Sequence, residues 1–375
     1  MSPTPMPRSW TTTPSGKLRA RGLGLMFEGE CGLHNAITDV AGVSVGYVTL
    51  IEGHGPLVPG QGPVRTGVTA ILPRPVAALH QSLFAGFFSL NGNGELSGTH
   101  YIEETGKFGL PVTITNTHSC GLARDATIRW AVDTLADRYH DDFALPVAAE
   151  TYDGFLNDIN GFHVTADHIV AAIDTARGGA VEEGSVGGGT GMKCFGFKAG
   201  SGTSSRLVPY DGADFTTGVF VQANFGTRRH LTVLGRTMGA DPELPQMQST
   251  QPDRELSSII VVIATDAPFL PHQLKRLARR ATFGIGRTGG MANHGSGDLF
   301  LAFSTANTDF APGAVRAARF VPDEDMDPFF EAVVQATEEA ILNAMIANEA
   351  MTGRDGNVVP ALPHAAVKRA LGLAD

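Results

Sequence analysis

Two short stretches of this 375-residue chain put reactive side chains at the edge of an apolar run. The first is the pair Ser257 and Ser258, which heads Ile259, Ile260, Val261, Val262 and Ile263. Five consecutive β-branched apolar residues fit a central strand buried on both faces. Residues 238–255, just before it, hold three prolines and four acidic residues and show no periodic apolar face, the pattern of an exposed loop. A serine at such a junction has a route to activation that needs no histidine. If the peptide bond before it breaks, its own α-amine is released. Such an amine titrates at about 7.7–8.0, close enough to neutrality to take the hydroxyl proton. A serine pair that merely caps a strand is the plainer reading, and the residues alone leave both open.

The second stretch runs from Thr288 to Asp298, a glycine-punctuated turn before an apolar strand at 299–303. In extended backbone alternate residues point the same way, so Ser296 and Asp298 share a face. A hydroxyl beside a carboxylate can relay or orient a proton at a neighbouring nucleophile. It can equally be a turn that satisfies its own backbone. Glu150 and Tyr152 alternate in the same way after the apolar residues 145–149. The carboxylate would suit a substrate ammonium, or it is a surface Glu at a strand end. Asn224 closes a strand read over 218–223. Its amide is a competent oxyanion donor, although an Asn often just caps a turn.

Other chemistries find less support. There is no CxxC, HExxH or EF-hand pattern, and His163 and His168 are badly spaced for one helical face, so no metal or other cofactor is expected. The glycine-rich residues 184–192 superficially resemble a nucleotide loop. They lack the GK[ST] ending and run into a strand at 193–198, which argues against nucleotide binding. A hairpin-like turn, or backbone approaching a substrate closely, remains. No GxSxG elbow is present, and no convincing SxxK pair.

Composition narrows the class further. With 28 Lys and Arg against 38 Asp and Glu the formal charge is −10, which disfavours nucleic acid. The pairs Arg228-Arg229 and Arg279-Arg280 are too small to offset it and read as solvated faces. Three cysteines, an odd and sparse set, suit a reduced cytoplasmic setting. Met1 to Pro14 carries no apolar stretch of the length a secretory signal needs, and no run of about 18 apolar residues exists, so neither export nor a membrane span is expected. The 46 glycines follow no collagen period.

The elements that must position these groups are mostly short. Strands are expected at 43–50, 66–72, 83–90, 110–115, 193–198, 218–223, 231–234 and along the run after Ser258. Helices are expected at 122–139, with Ile128, Val132, Leu135 and Tyr139 on one face, at 271–281, and at 327–350. Such a mix argues an α/β or α+β fold with helix-covered sheets. Residues 1–17 read as a flexible polar lead.

Taken together in order, these segments are recognisable. Ser258 through Pro268, Pro271 to Leu274, Leu277 to Arg280 and His294 to Asp298 closely resemble the DmpA-type self-cleaving aminopeptidases. Glu150 to Gly154, Asn157-Asp158, Gly187 to Met192 and Gln222 to Asn224 resemble further family segments. The resemblance spans residues 18–375. It implies an αββα sandwich, Ntn-hydrolase-like with different connectivity, in one catalytic domain that cleaves itself into an α chain (1–257) and a β chain (258–375). It implies Ser258 as nucleophile and new N-terminus, with Ser296 and Asp298 assisting proton transfer. Asn224 would stabilise the oxyanion, Tyr152 would sit at the reacting centre, and Glu150 would hold the substrate amine. The expected substrates are short peptides, aminoacyl amides or esters with a free amine, acted on by a homo-oligomer (a tetramer) of αβ units.

Two positions depart from the family pattern: Ser257 stands where Gly or Asn is usual, making it a competing nucleophile, and Asp298 stands where some members carry Glu. Ornithine acetyltransferase-type acyl transfer is a rival, disfavoured because those enzymes use a threonine nucleophile. An uncleaved inactive homologue is another.

Overall fold

The computed structural model describes residues 6–139, 141–249, 257–310 and 313–374. Ten strands build its two main sheets. They are β1 (Ser44–Glu52), β2 (Val64–Leu72), β3 (Leu83–Gly92), β4 (Lys107–Phe108) and β5 (Val112–Asn116). Then come β6 (Val147–Thr151), β7 (Ser201–Tyr210), β8 (Ala213–Asn224), β9 (Ser257–Thr265) and β10 (Ser296–Ser304). One sheet has the order β1-β2-β5-β6, the other β4-β3-β10-β9-β8-β7. Four helices matter here: α1 (Cys120–Thr134), α2 (Ala166–Asp174), α3 (Pro271–Arg287) and α4 (Asp327–Ile346).

The layers follow from which faces are apolar. Ile71, Val112, Ile114, Val147 and Ala149 of the smaller sheet meet Phe220, Ile260, Val262, Leu299 and Leu301 of the larger one in a shared core. The alternate residues Ile259, Val261, Ile263, Phe300 and Ala302 face outward onto Leu274, Leu277, Val333 and Ile341 of α3 and α4. Helices α1 and α2 cover the outer face of the smaller sheet through Ala123, Ala126, Trp130, Ile169 and Ile173. The result is the αββα sandwich. The run Ile259–Ile263 is fully buried on both faces, each side chain contributing about 1.5–3 kcal/mol.

Several boundaries differ from expectation. The segment 193–198 is a small hairpin, Lys193–Cys194 against Phe197–Lys198, and 231–234 shrinks to Thr232–Val233. Strand β7 shows no apolar alternation, because it is largely Ser, Thr and Gly yet buried along most of its length; helix α2, whose buried Ile169, Ala172 and Ile173 follow helical spacing, is a further unexpected element. In α1 the buried stripe is Ala123, Ala126, Thr127, Trp130 and Ala131, while Val132 is exposed. Small residues let this helix approach the sheet, so its phase follows alanines and one Trp rather than Ile128 and Val132. Gly202 shows the same need for close approach: a Cβ there would lie 2.1 Å from the Ala340 carbonyl oxygen of α4.

The N-terminal lead, where described, forms a helical turn at Arg8–Thr11 and is tied down. Trp10 Nε1 donates to Gly32 O at 2.8 Å, and Ser15 donates to Glu182. Behind it lies a buried ion network. Arg21 and Arg206 both pair with Glu339 at 2.7 Å, and Arg19 pairs with Glu183 at 2.6 Å. Burial alone would raise the Glu339 pKa, but Arg206 and Arg21 outweigh it and hold the carboxyl below its ordinary range.

Candidate active site

The sheet registers bring the head of β9, the head of β10 and the end of β8 to one edge. Strands β9 and β10 are parallel, with Ser257 opposite Ser296 and Ser258 opposite Gly297. Strand β8 is antiparallel to β9 and ends with Asn224 directly opposite Ser258. Paired residues share a face, so Ser258 and Asn224 look toward the space between the sheets. Ser257, Ser296 and Asp298 lie on the opposite face. Ser258 is 3% exposed, and its Oγ, like that of Ser257, has no hydrogen-bond partner among the described residues. A buried polar atom left unpaired is costly and calls for a ligand or a reaction.

Asn224 is held at both ends of its amide. Its Oδ1 accepts from Lys193 N at 3.0 Å, and its Nδ2 donates to Tyr152 O at 2.9 Å. One Nδ2 hydrogen remains for another acceptor. Ser296 Oγ donates to Asp298 Oδ1 at 2.6 Å, both residues being buried. Burial pushes the Asp298 carboxyl up to about 6, against the smaller opposing effect of that hydrogen bond.

A cavity of about 400 Å³ gathers the other half of the site. Ser257, Ser258, Glu150, Tyr152, Thr117 and Glu95 are on its wall. Glu150 is fixed by two donors: Glu95 N to Oε1 at 3.0 Å, and the Thr117 hydroxyl to Oε2. Burial raises its pKa, partly countered by these donors. Neither Thr117 nor Glu95 stood out in the sequence, although the run Asn91 to Glu95 is a Gly/Asn strand end of the kind that often borders a site.

The sequence-derived residues therefore divide. Ser257, Ser258, Glu150 and Tyr152 line this cavity, Asn224 stands across the strand from Ser258, and Ser296 with Asp298 lies beneath the Ser257–Ser258 pair. The residues of 187–191 do not line it. They wedge against backbone instead: a Cβ on Gly189 would lie 2.4 Å from Ser201 N, and one on Gly191 2.3 Å from Arg65 O. Of the loop at 238–255, residues 250–255 lie outside the described residues. Among the described residues no group of His, Cys, Asp or Glu is arranged to hold a metal, and no helix is long and apolar enough to cross a membrane.

The sequence and the fold have close counterparts. The model of peptidase family S58 matches residues 35–359. The chain belongs to peptidase family S58. Among S58 relatives, the beta-peptidyl aminopeptidase BapA of Sphingosinicella microcystinivorans is 50% identical over 366 residues, covering 94% of this chain and 91% of that protein. The L-aminopeptidase D-Ala-esterase/amidase of Ochrobactrum anthropi, described as a prototype of the serine aminopeptidases and a variant of the Ntn hydrolase fold, superposes with a TM-score of 0.88 at 48% identity. It is covered to 98%, and this chain to 94%. A Burkholderia sp. beta-aminopeptidase gives 0.85 at 43% identity, with coverage of 95% of this chain and 98% of that one. As an S58 member with these neighbours, the chain is a hydrolase of the aminopeptidase class with an Ntn-type fold.

Proposed function

We propose that this S58 enzyme matures by breaking its own Ser257–Ser258 peptide bond and then uses Ser258 as an N-terminal nucleophile. The observation that carries this reading is the register that sets Ser258, its Oγ unpartnered, directly opposite Asn224, in one cavity with Glu150 and Tyr152. In maturation Ser258 Oγ attacks the Ser257 carbonyl, the C–N bond breaks and an ester forms. Water then cleaves the ester, leaving a carboxylate on Ser257 and a free amine on Ser258. Strand β9 stays paired on both sides, with β8 of the α chain and β10 of the β chain, which would hold the two chains together.

In turnover the Ser258 amine takes the proton of its own hydroxyl, and Oγ attacks the first carbonyl of a substrate. Asn224 donates its remaining N–H to the oxyanion. The leaving amine departs with the proton from the Ser258 ammonium, and water releases the acyl group. Glu150 holds the substrate's ammonium. Tyr152 borders the reacting carbonyl. Ser296 and Asp298, on the face opposite to Ser258 Oγ, act on the α-nitrogen rather than on the hydroxyl. The substrates are short peptides, amides or esters with a free amine, and the names of the relatives put β-aminoacyl compounds first among those to try. A cytoplasmic homo-oligomer of αβ units, tetrameric by family resemblance, completes the reading.

Denaturing mass spectrometry tests it: wild type gives two fragments, and Ser258→Ala a single 39.4 kDa chain without amidase activity. A Ser258→Ala protein that still splits and turns over overturns the assignment. Because Ser257 shares the face of Ser296 and Asp298, it is a second candidate nucleophile. A β chain beginning at Ser257, one serine heavier, would favour it.

A further inference from the structure

Ser257 also borders a second cavity, of about 240 Å³, on the side away from Glu150. Its wall includes Asn224, Lys193, Arg228, Asn293 and Gln246. Arg228 and Lys193 are its charged lining residues, in a chain whose net charge is −10. Arg228 does not sit on a solvated face. Its guanidinium lies 3.6 Å from the centre of the Phe197 ring, and Nη2 donates to Gly196 O and Pro245 O. Its Nη1 is buried with no hydrogen-bond partner, and among the described residues no carboxylate pairs with Arg228. Burial without such a partner draws the guanidinium down to about 10. A half-buried, stacked guanidinium with an idle donor is built to receive an anion.

The two cavities are complementary about the scissile junction. One has the Glu150 carboxylate and opens on Ser258; the other has Arg228 and contains the Asn224 amide. Ser257 stands between them. A short peptide in zwitterionic form has the matching order of charges: ammonium, scissile carbonyl, carboxylate. We propose that the second cavity is the subsite for the leaving amino acid, with Arg228 binding its C-terminal carboxylate, and that cleavage after Ser257 opens it to the first. The enzyme is then tuned to dipeptides with a free carboxylate over their amides. This rests on the aminopeptidase reading above.

The test compares kcat/KM for β-alanyl or L-alanyl dipeptides with that for the same dipeptides amidated at the C-terminus. Wild type should favour the free carboxylate by roughly tenfold or more, as for a hydrogen bond between charged groups. In Arg228→Gln that ratio should fall to about one. If this variant does not fold, Arg228→Lys, which keeps the charge and an aliphatic stem over Phe197, should give an intermediate ratio. A wild-type ratio near one overturns the subsite, as it would if the new carboxylate of Ser257 itself occupied Arg228. An unchanged ratio in the variants overturns the role of Arg228. Failure of wild type to hydrolyse either form overturns the aminopeptidase reading and the subsite with it.

Discussion

Asn224 lies directly opposite Ser258 across an antiparallel strand pair, with its amide already fixed by Lys193 N and Tyr152 O. An oxyanion donor so held needs no reorganisation when charge develops, which is where such donors gain their effect. Asn224→Ala should therefore lower kcat by about 10²–10³ with little change in KM. Steady-state kinetics on an aminoacyl p-nitroanilide checks this, and a drop confined to KM would count against it.

Glu150 makes a different prediction. Glu150→Gln keeps the shape and the Glu95 contact but removes the charge proposed to meet the substrate ammonium. A lost charge-assisted hydrogen bond is about 1.5–3 kcal/mol, so kcat/KM should fall roughly 10- to 100-fold. Substrates whose amine is acetylated should lose nothing further, and a comparison of the two substrate sets in both enzymes decides the point.

The pH dependence turns on Asp298. Its carboxyl is raised to about 6 by burial, and in the mechanism proposed above its charged form supports the Ser258 amine. Activity should fall first as pH drops through the range of the Ser258 amine, about 7.7–8.0, and again through about 6. Asp298→Asn should be slower and lack only the lower step, while Glu150→Gln should retain both. The sign for stability is opposite: the folded state binds the proton more tightly than the unfolded one, so this group favours folding most below its unfolded value of about 3.9 and loses that contribution as pH rises through about 6. A pH–rate profile unaltered by Asp298→Asn would remove Asp298 from the proton path.

Stability should depend on Glu339. Replacing it by Ala strands Arg21 and Arg206, both almost fully buried, and removing one partner of a buried pair costs about 3–5 kcal/mol. The urea midpoint should drop accordingly. Restoring the volume with Gln should recover only part of it, because Gln brings no charge.

The amino-acid order by itself pointed to the strand behind Ser258, the shared face of Ser296 and Asp298, and the alternation of Glu150 with Tyr152. Each is a local matter of period-two alternation or of an apolar run. The resemblance of ordered segments added the αββα fold. What the chain order could not decide was which strands lie side by side. Only the parallel register of β9 and β10 puts Ser296 opposite Ser257 rather than Ser258, and a shift of one residue would reverse every side chain. Only the fold brings Thr117 and Glu95 to Glu150 from 33 and 55 residues away. For the glycines at 187–191 a hairpin-like turn and a substrate-facing backbone were both open, and the fold uses Gly189 and Gly191 for contacts with backbone that sequence does not display. Arg228, read with Arg229 as a solvated face, owes its character to Phe197 and to a cavity built from five separate segments. Long-range pairing is set by summed burial over both sheets, so the chemistry of single residues was legible before the structure, and their partnership was not.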